Sequence, residues 1–197
     1  LDELNVTFIF APVYHSSFRH AMPVRQTLKT RTIFNVLGPL INPARPTYQL
    51  MGVYAESLLL PIAETLIQLG LSRGMVVHGQ GLDEIAIHGS TQVAHIHDGK
   101  INRMELAPED FGLQCYPLSA IRGGEPEENR KISETILSGQ GTDAQNSAIA
   151  INLSPLLLMG GKVENLKQGA ELAIATLKSG KPMELVQKLA TLSHQQE

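Results

Sequence analysis

The sequence predicts a mixed α/β fold in which a mainly parallel central sheet is flanked by helices. Between residues 48 and 78, a buried strand, an amphipathic helix and a second buried strand follow one another. This order is typical of a parallel βαβ unit. Further along, Asp98-Gly99 separates two strand-like segments, which indicates an antiparallel hairpin. We therefore expect antiparallel strands beside parallel ones.

The composition is that of a compact domain with a substantial core. The chain has 197 residues, of which 43% are hydrophobic and 18% are charged. Its net charge of −3, its pI near 6.2 and the absence of a Lys/Arg cluster exclude a general nucleic-acid binder. The single cysteine, Cys115, is expected to pack in a strand or loop. With no signal peptide and no 18-residue apolar span, a cytoplasmic protein without membrane contact is expected.

The first quarter of the chain is predicted to be helical. A pair of serines can cap a helix over residues 16–29, in which Pro23 causes a kink or a fresh start. Residues 32–37 are apolar and are predicted to form another helix, which ends at the Gly-Pro pair that follows. Residues 42–46 are rich in proline, so a hinge and a domain boundary near residue 45 are expected.

The rest of the chain alternates strand and helix patterns before it becomes helical. Strands are predicted over residues 48–54, 75–78, 85–88, 92–97 and 100–106, with a helix over residues 58–69. Four more helices are predicted over residues 126–139, 144–159, 166–177 and 182–192. The second of these is apolar nearly all round, so it should be buried, and Pro155 should bend it.

An acidic pair follows the second strand of the βαβ unit. Asp83 and Glu84 come after the glycine-containing stretch HGQG at residues 78–81, at the carboxyl end of that strand. Open α/β sheets bind ligands at this end. Mg²⁺ takes one or two carboxylates and fills its other positions with water and substrate phosphates. The pair therefore indicates a magnesium site for a phosphorylated substrate, although acidic pairs after glycine are also common in solvated turns.

Three segments of the sequence resemble the anthranilate phosphoribosyltransferase family. They are Arg25, the string RTIFNVLGPLINPA at residues 31–44 and the string HGQGLDEI at residues 78–85, and the similarity continues through the helix over residues 146–161. The resemblance covers the carboxyl-terminal part of a family member. The family's amino-terminal helices and glycine-rich phosphate loop would precede this sequence, which also lacks an initiator methionine.

The resemblance implies a two-lobed fold. Residues 1–11 would be a strand that enters from the large lobe, residues 12–45 the late helices of a small all-helical lobe with its hinge, and residues 46–197 the large α/β domain. Family members generally dimerise through the small lobe, so a homodimer is expected. The sequence leaves open an anthranilate synthase partner or a fused glutaminase module.

The resemblance also implies a reaction and its site residues. The phosphoribosyl group of phosphoribosyl pyrophosphate would pass to anthranilate, giving phosphoribosyl-anthranilate and pyrophosphate in tryptophan biosynthesis. Asp83 and Glu84 match the family's magnesium pair, whereas Arg25, His15 and Pro39 match positions that bind anthranilate. A guanidinium can grip a benzoate carboxylate through two hydrogen bonds. No residue is assigned to covalent or acid–base catalysis.

Two other interpretations remain open. A pyrimidine nucleoside phosphorylase shares the lobe arrangement but uses phosphate and has less need of the acidic pair. Alternatively, the isolated chain is a non-catalytic fragment of the transferase, and we expect it to be inactive alone. His95 and His97 can share a strand face as a transition-metal pair, but no third ligand is evident, so solvent-facing histidines are preferred.

Overall fold

The computed structural model describes residues 3–9 and 34–194, which fall in two compact units, 1–46 and 47–197. In the first unit, α1 spans Phe34–Leu40. The predicted helix end at residue 38 is wrong, because Pro39 lies inside this helix. The amide of Ile41 donates to the Leu37 carbonyl oxygen at 3.0 Å, which continues the helical pattern past the proline.

Residues 3–9 contain turns and irregular backbone, with no strand assigned among them. The predicted strand over residues 1–11 lies partly outside the described residues, as do the helix predicted over residues 16–29 and the site residues His15 and Arg25. The division into lobes therefore stays a prediction.

The second unit is built on a four-stranded sheet in the order β1-β2-β3-β4. The strands are β1 (Tyr48–Gly52), β2 (Arg73–His78), β3 (Thr91–His97) and β4 (Lys100–Leu106). Helix α2 (Leu59–Gln68) connects β1 to β2, and these two strands are parallel. The predicted βαβ unit and mixed α/β class are confirmed.

Antiparallel pairing is more prominent than predicted. In the described sheet β2 pairs with β3 and β3 with β4, both antiparallel, so only the β1–β2 pair is parallel. The hairpin between β3 and β4 turns at Asp98 and Gly99, whose φ angles are 48° and 76°. Two positive φ angles are what a two-residue hairpin turn needs, since its twist matches that of the strands.

The strand predicted over residues 85–88 does not form. Ile85 bonds through its backbone to the side chain of Asn152, and the amide of Ala86 donates to Thr91 Oγ1 at 2.9 Å. The Ile87 carbonyl oxygen accepts from the amide of Tyr116 at 2.9 Å. These apolar residues are buried, but side chains and a loop satisfy their backbone instead of a neighbouring strand.

Helices dominate the remainder of the second unit. They are α3 (Pro126–Thr135), continued by a π-helical turn over Ile136–Gln140, then α4 (Asp143–Met159), α5 (Leu166–Lys178) and α6 (Lys181–His194). Short 3-10 turns cover Glu56–Leu58, Pro108–Phe111 and Leu118–Ile121. Thr142 caps α4 by accepting a hydrogen bond from the Gln145 amide, and the helix begins at the next residue, Asp143.

Helices cover both faces of the sheet. On one face, strand residues such as Met75 and Val77 pack against Ala150 and Ile151 of α4 in the main hydrophobic core. Side chains alternate along a strand, so the buried Val76 points to the opposite face, where α2 contacts β2 and β3. No helix in the described ranges is both long and apolar enough to cross a membrane. Helix α4 contacts both β1 and β2.

Candidate functional site

The acidic pair lies just beyond the carboxyl end of β2, after a tight turn. The amide of Gly79 donates to the Leu82 carbonyl oxygen at 3.0 Å, and the Leu82 amide donates back to Gly79 at 2.9 Å. These two reciprocal hydrogen bonds close the turn immediately before Asp83. Both Asp83 and Glu84 are exposed, and Glu84 is also partly shielded by the surrounding protein.

The backbone of Asp83 passes very close to the end of β1. A Cβ added at Gly52 would lie 1.5 Å from the Asp83 carbonyl oxygen and 2.3 Å from its carbonyl carbon. Only a residue without a side chain fits at that distance. Gly52 therefore fixes how near the acidic pair lies to β1, which the sequence pattern had not shown.

The residue after the pair is held by helix α4. The Ile85 amide donates to Asn152 Oδ1 at 2.8 Å, and Asn152 Nδ2 donates to the Ile85 carbonyl oxygen at 3.1 Å. The sequence analysis did not identify Asn152. An amide side chain in a helix that is apolar nearly all round indicates a hydrogen-bonding role, because buried polar groups need partners.

The two carboxylates line a cavity of about 450 Å³ between β1, β2 and α4. Leu50 and Gly52 contribute the strand side of its wall, and Asn152 lies on the helix side. Glu84 also borders a second cavity of about 270 Å³ against α3. The carboxylates are therefore placed at a concave surface large enough for a small substrate.

The negative charges of Asp83 and Glu84 repel each other. Partial burial raises the pKa of the Glu84 carboxyl group above its ordinary 4.5, and the adjacent charge of Asp83 raises it further. A divalent cation would relieve this repulsion. Two carboxylates suit Mg²⁺, which keeps waters and substrate oxygens in its other positions. The described residues contain no group of three His, Cys, Asp or Glu side chains able to hold a metal.

The remaining predicted site residues do not belong to the second unit. Pro39 lies in α1 of the first unit, and His15 and Arg25 lie outside the described residues. Their role in binding anthranilate stays a prediction.

Other polar groups have structural explanations. The rings of His95 and His97 have centroids 6.1 Å apart, and among the described residues no third ligand joins them. Ser154 donates to the Leu166 carbonyl oxygen at 2.6 Å and joins α4 to α5. Cys115 is exposed in a loop, so the prediction that it would be packed is wrong.

The acidic pair lies beyond the carboxyl end of a parallel strand, which is where open α/β sheets bind ligands. The chain belongs to the glycosyl transferase family, whose a/b domain matches residues 1–183. It is 68% identical over 196 residues to anthranilate phosphoribosyltransferase of Tolumonas auensis, covering 100% of this chain and 58% of that protein. The chain thus spans little more than half the length of this relative.

Solved structures agree with the sequence relatives. Anthranilate phosphoribosyltransferase from Thermus thermophilus superposes with a TM-score of 0.86 at 39% identity, over 96% of this chain and 56% of that one. The Saccharomyces cerevisiae enzyme in complex with phosphoribosyl pyrophosphate and Mg superposes with a TM-score of 0.76 at 30% identity, over 89% and 51%.

Proposed function

We propose that the complete protein is an anthranilate phosphoribosyltransferase of tryptophan biosynthesis, to which this chain contributes the acidic pair. The observation that carries the proposal is the position of Asp83 and Glu84 at a cavity beyond β2. The high identity to an anthranilate phosphoribosyltransferase supports the same reaction.

The reaction explains why an acidic pair is useful. The amino nitrogen of anthranilate forms a bond to the ribosyl C1 while the bond from C1 to pyrophosphate breaks, and the amine proton passes to solvent. Negative charge grows on the departing pyrophosphate as this bond breaks. Mg²⁺ held by Asp83 and Glu84 would neutralise that charge. The two side chains thereby bind and orient the leaving group.

Arg25, His15 and Pro39 are proposed to bind the second substrate. The Arg25 guanidinium would pair with the anthranilate carboxylate through two parallel hydrogen bonds, which would orient the amino group for attack. His15 and Pro39 would line the path of the aromatic ring. The support for these three roles is the family resemblance of the surrounding sequence.

A pyrophosphate-release assay on the complete protein tests the proposal. Pyrophosphate should appear only when phosphoribosyl pyrophosphate, anthranilate and Mg²⁺ are all present. The variant Asp83→Asn with Glu84→Gln should lower turnover by about 100-fold or more and change the magnesium dependence. Phosphorolysis of a pyrimidine nucleoside, with turnover indifferent to both substitutions, would instead support a nucleoside phosphorylase.

The fragment interpretation is tested by comparing the isolated 197-residue chain with the complete protein. We propose that the isolated chain folds but has no transferase activity.

The complete protein is proposed to be a cytoplasmic homodimer. The resemblance supports the homodimer, and the single cysteine supports the cytoplasmic location. Sedimentation analysis would give the mass of two chains, whereas a monomer at all concentrations would contradict this.

A further inference from the structure

The side chain of Asn152 joins helix α4 to the loop that carries the acidic pair. Its Oδ1 accepts from the Ile85 amide at 2.8 Å, and its Nδ2 donates to the carbonyl oxygens of Ile85 at 3.1 Å and Ala148 at 3.0 Å. A carboxamide offers a donor and an acceptor side by side, so it can pair with both backbone groups of one residue. Asn152 thus takes the place of a neighbouring strand.

Glu84 lies between two fixed points of the backbone. On one side, the close approach to Gly52 fixes the Asp83 carbonyl. On the other side, Asn152 fixes Ile85, whose side chain is 2% exposed and belongs to the main core. Only Glu84 lies between these points, so its backbone has little freedom to move.

The arrangement also explains why an amide lies on this face of α4. Asn152 is half-buried and lines the same cavity as the two carboxylates, beside Leu153 and Leu156. An apolar residue would suit the helix equally well, but it would leave the amide and carbonyl of Ile85 without these partners. The loop would then relax toward water, and the carboxylates would move with it.

We propose that Asn152 is a positioning residue that holds Asp83 and Glu84 in the geometry needed to bind a divalent cation. The inference rests on the proposed function, because the cation is the one assigned there to the acidic pair. Supporting partners of metal ligands commonly change metal affinity by about 10-fold to 100-fold when removed. Asn152 would act in this way through the backbone.

The test measures binding and local stability separately in the complete protein. Mn²⁺ titration by electron paramagnetic resonance gives the affinity, and hydrogen exchange gives the protection of the Ile85 amide. We expect Asn152→Leu, and the smaller Asn152→Ala, to weaken Mn²⁺ binding by about 10-fold and to speed exchange at Ile85. Asn165→Ala is the matched control, since it removes a side-chain bond to the Gln168 amide at the start of α5, away from the loop.

The outcomes separate this inference from the proposed function. If Asp83→Asn with Glu84→Gln abolishes Mn²⁺ binding while both Asn152 variants bind like the Asn165→Ala control, the positioning role is overturned and the proposed site stands. If the double variant binds Mn²⁺ normally, the proposed site fails, and the positioning role fails with it. Unchanged exchange at Ile85 in the Asn152 variants would overturn the inference whatever the metal affinity.

Discussion

Replacing Gly52 with alanine tests the contact that brings the acidic pair to the end of β1. The new Cβ would lie 1.5 Å from the Asp83 carbonyl oxygen, whereas real Cβ contacts essentially never fall below 3.0 Å. The end of β1 and the loop must therefore separate by about 1.5 Å before the alanine fits. The partner atom is backbone, so a side-chain rotation cannot relieve the overlap.

The expected consequences follow from that displacement. Overpacking of this kind costs about 1–3 kcal/mol of unfolding free energy. A misplacement of about 1 Å in a catalytic site can cost about 100-fold in rate. We therefore expect Gly52→Ala to fold with reduced stability, to lose about 100-fold in turnover and to need more Mg²⁺.

Gly74→Ala provides a control on the same two strands. Its Cβ would lie 2.7 Å from Leu71 Cδ2 and 2.8 Å from the Gln49 carbonyl oxygen, at the end of β2 far from the acidic pair. Urea unfolding and pyrophosphate release would be measured for both variants. Gly74→Ala should lose less stability, because its overlaps are smaller and one of them is with a flexible side chain, and it should keep turnover within a few-fold. Equal losses of turnover in the two variants would show that the contact between Gly52 and Asp83 has no particular importance for the acidic pair.

Three further predictions concern single side chains. Thr91→Val should lower the unfolding free energy by about 1–3 kcal/mol in urea titrations, because it leaves the buried Ala86 amide without its 2.9 Å acceptor; an unchanged midpoint would contradict this. Burial, and then the charge of His97, lower the pKa of His95 below 6.5 in the folded state. The unfolded chain therefore binds the proton more readily, so the free energy of unfolding should fall as the pH drops below 6.5. In unfolding measurements at several pH values, His95→Gln should flatten that decline. Arg25→Ala in the complete protein should raise the KM for anthranilate much more than that for phosphoribosyl pyrophosphate, and equal effects on both would count against its role.

Local patterns were sufficient to predict much of the second unit. The βαβ unit was predictable because two apolar strands and one amphipathic helix each carry their own periodicity. The turn at Asp98-Gly99 was predictable because few residue pairs tolerate two positive φ angles. The position of the acidic pair was predictable because one short glycine-containing turn separates it from a strand that the pattern identifies.

Features that depend on distant partners were not predictable in the same way. Residues 85–88 have the composition of a strand, but Asn152 lies 67 residues away from Ile85 in the chain and takes the place of a strand neighbour. The approach of Asp83 to Gly52 likewise depends on how the two strand ends meet in space. The predicted end of α1 was wrong because proline usually ends a helix, whereas this helix continues one residue past Pro39 to Leu40.

A crystal structure of the complete protein with Mg²⁺ and phosphoribosyl pyrophosphate would show whether the acidic pair binds the metal. We expect a metal ion about 2.0–2.1 Å from a carboxylate oxygen of Asp83 or Glu84, with pyrophosphate oxygens among its other ligands. A metal ion and pyrophosphate bound elsewhere, with both carboxylates turned to solvent, would contradict it.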